Sequence, residues 1–208
     1  MKGCSRSIVL VLGCVGAACG TASAAITGGT GATQQISPPA NCFPGFLPTG
    51  GKVFVWDEQQ SVPVTLGLPV DMTVNPSVST TPTPGAITGL LDAHFMHFDH
   101  MGQASGTVTF SGQIVGVAFT DTFLDISDPA VGALGTIYPT GVIDRGMLSL
   151  PFLNSVLSIN GSTLTYTLDT VSPVLDFDQV RVYTRTVPAP GALGVLGAAG
   201  VMVRRRRR

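Results

Sequence analysis

The sequence predicts an all-β fold, an antiparallel β-sandwich, on three observations. Short apolar segments with a two-residue period recur between Gly, Pro, Asp and Asn. Asn160-Gly161, flanked by apolar-alternating residues 156–159 and 163–168, is the strongest short hairpin signal in the chain. Only 11% of the 208 residues are charged, against roughly 25% in an average domain. That leaves too few Glu, Lys and Arg for long helices or a coiled coil.

The first element, residues 1–24, reads as a signal peptide. Lys2 and Arg6 form a basic start, residues 8–19 are almost wholly apolar or small, and Ala22-Ser23-Ala24 is an A-x-A exit before Ala25. These three parts in this order define a secretory leader cut by a signal peptidase. Val11-Leu12-Gly13-Cys14 offers a lipobox-like alternative early in the apolar stretch. Export changes the cysteine arithmetic. Cys4, Cys14 and Cys19 fall in the leader, so Cys42 alone remains and no intramolecular disulfide can form. The body must hold together by its own core, for which 163 residues (25–187) suffice.

Residues 25–51 are rich in Gly, Pro, Thr and Gln and read as a flexible lead-in. The β-sandwich domain is expected over residues 52–186. Residues 52–56 make a short apolar strand, and residues 62–68 alternate with period 2. Pro76, Pro82 and Pro84 mark residues 75–85 as a loop. Residues 106–110 and 113–119 suggest a hairpin about Ser111-Gly112. Ser127-Asp128-Pro129 resembles a helix start, so residues 121–132 could carry one short helical turn. Residues 180–185 close the domain as a strand with apolar residues on one face. No repeat with a 20–50 residue period is present.

The last element is a tail in three parts. Val187-Pro188-Ala189-Pro190-Gly191 precedes an uncharged apolar run over 192–203, followed by Arg204, Arg205, Arg206, Arg207 and Arg208. From Gly191 to Val203 a helix would be about 20 Å long. Counted from Val187 it reaches the lower limit of a membrane span, about 17 residues. The Arg cluster is a stop-transfer signal that leaves the body outside the cytoplasm.

In order, spacing and terminal position, residues 187–208 resemble the PEP-CTERM sorting signal of exported bacterial proteins, with Ala189 where the name-giving Glu would stand. The resemblance implies a short transmembrane helix and recognition by an exosortase, a membrane-embedded cysteine protease. It also implies cleavage near the proline motif and release to the cell envelope or extracellular matrix. Residues 92–145 are loosely similar to a segment of several exported PEP-CTERM proteins. The similarity rests on His97-Phe98-Asp99, residues 106–110 and 114–117, Ser127-Asp128 and residues 135–141. It implies a secreted β-domain and supplies no activity.

The net charge of −1 conceals a sorting of charge along the chain. Seven of the 11 basic residues lie in the two ends, while all 12 acidic residues lie between Asp57 and Asp178, so the middle carries −8. A nucleic-acid partner is excluded as an expectation, because the basic footprint is missing.

Chemistry-bearing clusters are few. All three His lie in Asp92-Ala93-His94-Phe95-Met96-His97-Phe98-Asp99-His100. His94, His97, Asp99 and His100 are the candidate Zn²⁺ or Cu²⁺ ligands by residue type. On a strand, however, His94 and His100 share one face about 20 Å apart, and His97 and Asp99 take the other. Asp121, Asp125 and Asp128, and Asp176 with Asp178, are candidates for loop Ca²⁺, without EF-hand spacing. No G-x-S-x-G elbow occurs, no motif makes Cys42 a nucleophile, and Glu58 is the sole Glu. The expectation is a non-enzymatic exported surface or matrix protein without a cofactor. The alternative is a carbohydrate- or calcium-binding β-sandwich module associated with exopolysaccharide.

Overall fold

The computed structural model describes residues 21–22, 24–79, 83–143, 145–147, 155–170, 177–185 and 187–188. Most of the stretch expected as a signal peptide (residues 1–20 and 23), Ala189 to Gly191, the apolar run and the Arg cluster lie outside the described residues.

The elements in chain order are β1 (Thr21–Ala22), β2 (Ile26–Gly31), β3 (Thr33–Gln35), β4 (Val53–Asp57), β5 (Val62–Val70), β6 (Ser77–Ser79), β7 (Gly85–Phe98), β8 (Gly102–Phe110), β9 (Ile114–Ala118), α1 (Asp121–Val131), β10 (Val156–Asn160), β11 (Thr163–Thr170), β12 (Asp178–Arg185) and β13 (Val187–Pro188). Two sheets dominate. One has the order β2-β8-β11-β10-β6. The other runs β3-β4-β7-β12-β9, with β5 also paired on β7. Every pairing in these sheets is antiparallel except β3 with β4.

The sheets pack face to face through side chains at two-residue spacing. Val108 and Phe110 of β8, Leu157 and Ile159 of β10, and Leu164, Tyr166 and Leu168 of β11 meet Val53 and Val55 of β4, Met96 and Phe98 of β7, and Val180 and Val182 of β12. The second sheet is also covered on its other face. There Trp56, Leu91, Phe95 and Tyr183 pack with Leu124 and Val131 of α1 and with Cys42 and Tyr138. A strand buried on both faces has no reason to alternate. Accordingly Leu91 to Phe98 of β7 and Asp178 to Thr184 of β12 are buried without interruption.

The expected mostly β fold is present, and Asn160-Gly161 turns the β10–β11 hairpin, with Asn160 opposite Thr163 and Gly161 at φ +63°. Four local expectations are corrected. Residues 25–51 are not all lead-in, because β2 and β3 join the two sheets. They are held by main-chain pairing and hydroxyls, as in Thr30 with Thr107 at 2.8 Å and Thr33 with Tyr166 at 2.8 Å. Only Ile26 of β2 is buried, so hydrophobic pattern carries no trace of the strand. Residues 75–85 are not one loop, since β6 pairs with β10 at a sheet edge.

Residues 106–110 and 113–119 are not a hairpin. β8 pairs with β2 and β11, whereas β9 pairs with β12 in the other sheet. The link between them crosses the sandwich at Gly112, where a Cβ would lie 2.5 Å from the Arg185 carbonyl oxygen.

Helix α1 spans 11 residues and starts at Asp121, with Pro129 inside it. Its start is set by a distant residue. The buried Asp71 carboxylate accepts the Phe119 N–H at 2.7 Å, the Thr120 N–H at 2.9 Å and the Thr120 hydroxyl at 2.9 Å. Asp71→Ala would strand these donors under the helix start. The expected loss is about 1–3 kcal/mol of unfolding free energy, read from urea denaturation, with Asp71→Asn losing less.

Candidate functional site

The densest polar constellation lies on the outer face of the second sheet, beneath α1. β12 presents Arg181 to that face, between the inward Val180 and Val182. Arg181 is fully buried. Its Nε donates to Glu58 Oε2 at 2.6 Å, and its Nη2 donates to Glu58 Oε1 at 2.9 Å and to Asp128 Oδ1 at 3.0 Å. Nη1 donates to the Ser127 hydroxyl at 2.5 Å. The guanidinium stacks 4.7 Å from the Phe95 ring centroid and 5.1 Å from that of Tyr138. The Tyr138 hydroxyl donates to Glu58 Oε1 and accepts the Ala133 N–H at 2.9 Å.

A second buried guanidinium extends the network. Arg145 Nη1 donates to Asp125 at 2.7 Å and to Asp128 at 2.6 Å, and Nη2 donates to Asp128 at 2.9 Å. Arg145 Nε donates to Gln179 Oε1 at 2.7 Å, and Gln179 Nε2 donates to His97 Nδ1 and to the Cys42 carbonyl, each at 3.0 Å. Asp125 and Asp128 stand three residues apart on one face of α1, as such pairs do.

Burial shapes the titration of these groups. It works to raise the Asp128 carboxyl, but the hydrogen bonds and charges of Arg145 and Arg181 outweigh it and hold Asp128 below the usual carboxylate range. Burial opposes the charge on Arg181, yet Glu58 and Asp128 lift its pKa well above the ordinary arginine value. Burial pushes the Cys42 thiol up to about 12. His97 is pushed down to about 4 by burial, with the Leu47 carbonyl opposing and the charge of Arg145 adding to the effect.

The candidate metal ligands are not brought together. His94 faces the sheet interface, where its ring lies 4.6 Å from that of Phe110. His97 takes the opposite face and bonds Gln179. Asp99 Oδ2 accepts the Gly45 N–H at 2.6 Å, and His100 is exposed. Among the described residues no three His, Cys, Asp or Glu side chains converge on one point. For the loop Ca²⁺ candidates, Asp125 and Asp128 bind guanidinium, and Asp176 lies outside the described residues.

One chain of polar groups has the order of an acid–base–hydroxyl relay. Asp57 Oδ1 accepts His94 Nδ1–H at 2.7 Å, and His94 Nε2 lies 3.0 Å from Thr184 Oγ1. Thr184 is fully buried, so its hydroxyl faces packed protein. Two open pockets lie among the described residues, the second bordered by Asp57 of this relay. One of about 370 Å³ is lined by Thr73, Gln113 and Arg185, and another of about 420 Å³ by Asp57, Gln59 and Leu134.

Sequence reasoning did not single out Glu58, Tyr138, Arg145 or Arg181 as one cluster. The available signal was Arg181 within an apolar strand, together with the scarcity of basic residues in the body. The chain matches no protein-family model, no curated protein and no solved structure. Among the described residues, no helix is long and apolar enough to cross a membrane.

Arg181→Met would leave Glu58 buried without its cation. The expected loss is about 3–5 kcal/mol, and adding Glu58→Met should recover part of it in a urea-denaturation cycle. His97 also sets a pH dependence. The unfolded ring takes a proton near pH 6.5 and the folded ring only near 4. Stability is therefore full above about pH 6.5 and falls as pH drops toward 4. Melting temperature should fall between pH 7 and pH 5.5, and His97→Gln should shrink that fall.

Proposed function

We propose that the chain is an exported bacterial surface or extracellular-matrix protein, sorted by its C-terminal PEP-CTERM signal, whose body acts without catalysis. The observation that carries this reading is the order of the tail: the Val187-Pro188-Ala189-Pro190-Gly191 motif, an apolar run and a terminal Arg cluster. The basic-apolar-small leader at the other end supports it. On this reading a signal peptidase and an exosortase are processing partners, and the inner membrane holds the chain transiently through the apolar run. The tail residues are substrate residues. No cofactor is part of the proposal.

The second reading is a β-sandwich module that binds carbohydrate or Ca²⁺ in exopolysaccharide. What favours its carbohydrate form is the open pocket whose lining includes the polar side chains of Thr73, Thr88, Gln113 and Arg185. Heat on titrating neutral or acidic oligosaccharides, or Ca²⁺, into the purified protein would carry this reading.

Sorting is tested by intact-mass measurement of the protein recovered from the surface or medium of an exosortase-bearing host. The expected C-terminus lies near Pro188 or Pro190. Mature protein still carrying Arg204, Arg205, Arg206, Arg207 and Arg208 would remove the processing claim.

A further inference from the structure

The cut that would end the leader falls beside a buried carboxylate. Ala24 is fully buried. Its nitrogen lies 2.7 Å from Oδ2 of Asp92, itself fully buried, and the other Asp92 oxygen accepts the Ser61 N–H at 2.6 Å. Among the described residues no Lys, Arg or His side chain forms an ion pair with Asp92.

The next two residues are anchored as well. Ala25 exchanges bonds with Ser111, its N–H donating to the hydroxyl at 2.9 Å and its carbonyl accepting the Ser111 N–H at 2.9 Å. The Ile26 N–H donates to Asp57 at 3.1 Å. Ala24 also fills a defined niche. A Cβ on Gly112 would come within 2.8 Å of the Ala24 methyl carbon. The body therefore includes Ala24 as a packed residue.

A cut before Ala25 would remove that residue. It would also take away the donor to Asp92 and place the new amine at Ser111, on the surface. The bond one position upstream has none of these consequences. Ser23 at its end and Thr21 two residues earlier are both small, as a leader exit requires.

We infer that the leader is cut between Ser23 and Ala24, and that the α-ammonium so created ion-pairs with buried Asp92, fixing the mature N-terminus in the fold. The inference rests on the export reading above. The step is amide hydrolysis. One water adds across the Ser23–Ala24 bond, the leader leaves with a Ser23 carboxylate, and the Ala24 amine takes a proton. The ammonium nitrogen would occupy the place of the present amide nitrogen. A buried main-chain donor would thereby become the countercharge for a carboxylate that otherwise has two neutral donors.

The test uses the full chain expressed with its leader in a bacterial host. N-terminal sequencing of the exported protein should give Ala24. A start at Ser23 or Ala25 would overturn this inference and leave export standing. An uncut leader would overturn both.

A second measurement reads the ion pair itself. The mature protein has two amines, the α-amine and Lys52, whose side chain is exposed. At pH 7 a solvated α-amine is deprotonated more than a hundredfold (~10²) more often than a lysine, so it should be methylated first by formaldehyde and cyanoborohydride. In the folded protein the order should reverse, with Lys52 modified first. Denaturation should restore the ordinary order, as should Asp92→Asn if that variant folds. An α-amine that reacts ahead of Lys52 in the folded wild type would overturn the ion pair.

Discussion

The fold depends on where Arg181 is placed. A guanidinium under a helix, sealed from water, is tolerable only if its donors and charge are met. Here Glu58, Asp128 and Ser127 meet them, and Phe95 and Tyr138 flank its faces. These partners come from separate stretches of chain. Glu58 follows β4, Ser127 and Asp128 belong to α1, and Tyr138 lies in the segment after the helix. Satisfying one side chain therefore fixes three segments against the second sheet. The result is a second sheet with an interior on both faces, although the first faces it on one side only.

That double burial separates what the sequence reveals from what it conceals. The β10–β11 hairpin is legible because its turn needs a positive φ at Gly161 and its strands alternate. The positions of β4, β5 and β12 are legible through short apolar runs. β7 is not, because a strand covered on both faces can carry His94, His97 and Asp92 inward as readily as Phe95 and Phe98. The same residues look like a ligand cluster in one dimension. In three dimensions the pleat sends His94 and His97 to opposite faces, where each finds a separate partner.

Edge and corner elements are concealed for a different reason. β2 pairs by main-chain bonds and exposes nearly all of its side chains, so Thr and Gly suit it as well as they suit a loop. The start of α1 depends on Asp71, about fifty positions upstream: Thr120 holds the N-cap position but makes no side-chain cap bond to the helix, its hydroxyl donating to Asp71 instead. The buried ionic cluster was legible only as an oddity: a rare Arg inside an apolar strand and a single Glu.

The acidic excess of the body has an internal explanation. Eleven of its twelve acids are Asp, and a short carboxylate is suited to accepting main-chain N–H groups where the chain turns. Asp71 takes those of Phe119 and Thr120, Asp92 those of Ala24 and Ser61, and Asp57 that of Ile26. Asp99 takes that of Gly45, Asp125 that of Gly141, and Asp178 that of Asp169. Glu58, the exception, reaches instead for a guanidinium. Read from composition, the surplus of negative charge invites divalent cations. Read from the structure, much of it already serves as acceptors at strand ends and corners, with Asp125, Asp128 and Glu58 neutralised by arginine. A two-sheet fold that changes sheets at residues 111–113 and starts its only described helix without a local cap leaves many such donors to satisfy. Asp is the residue that satisfies them from a distance.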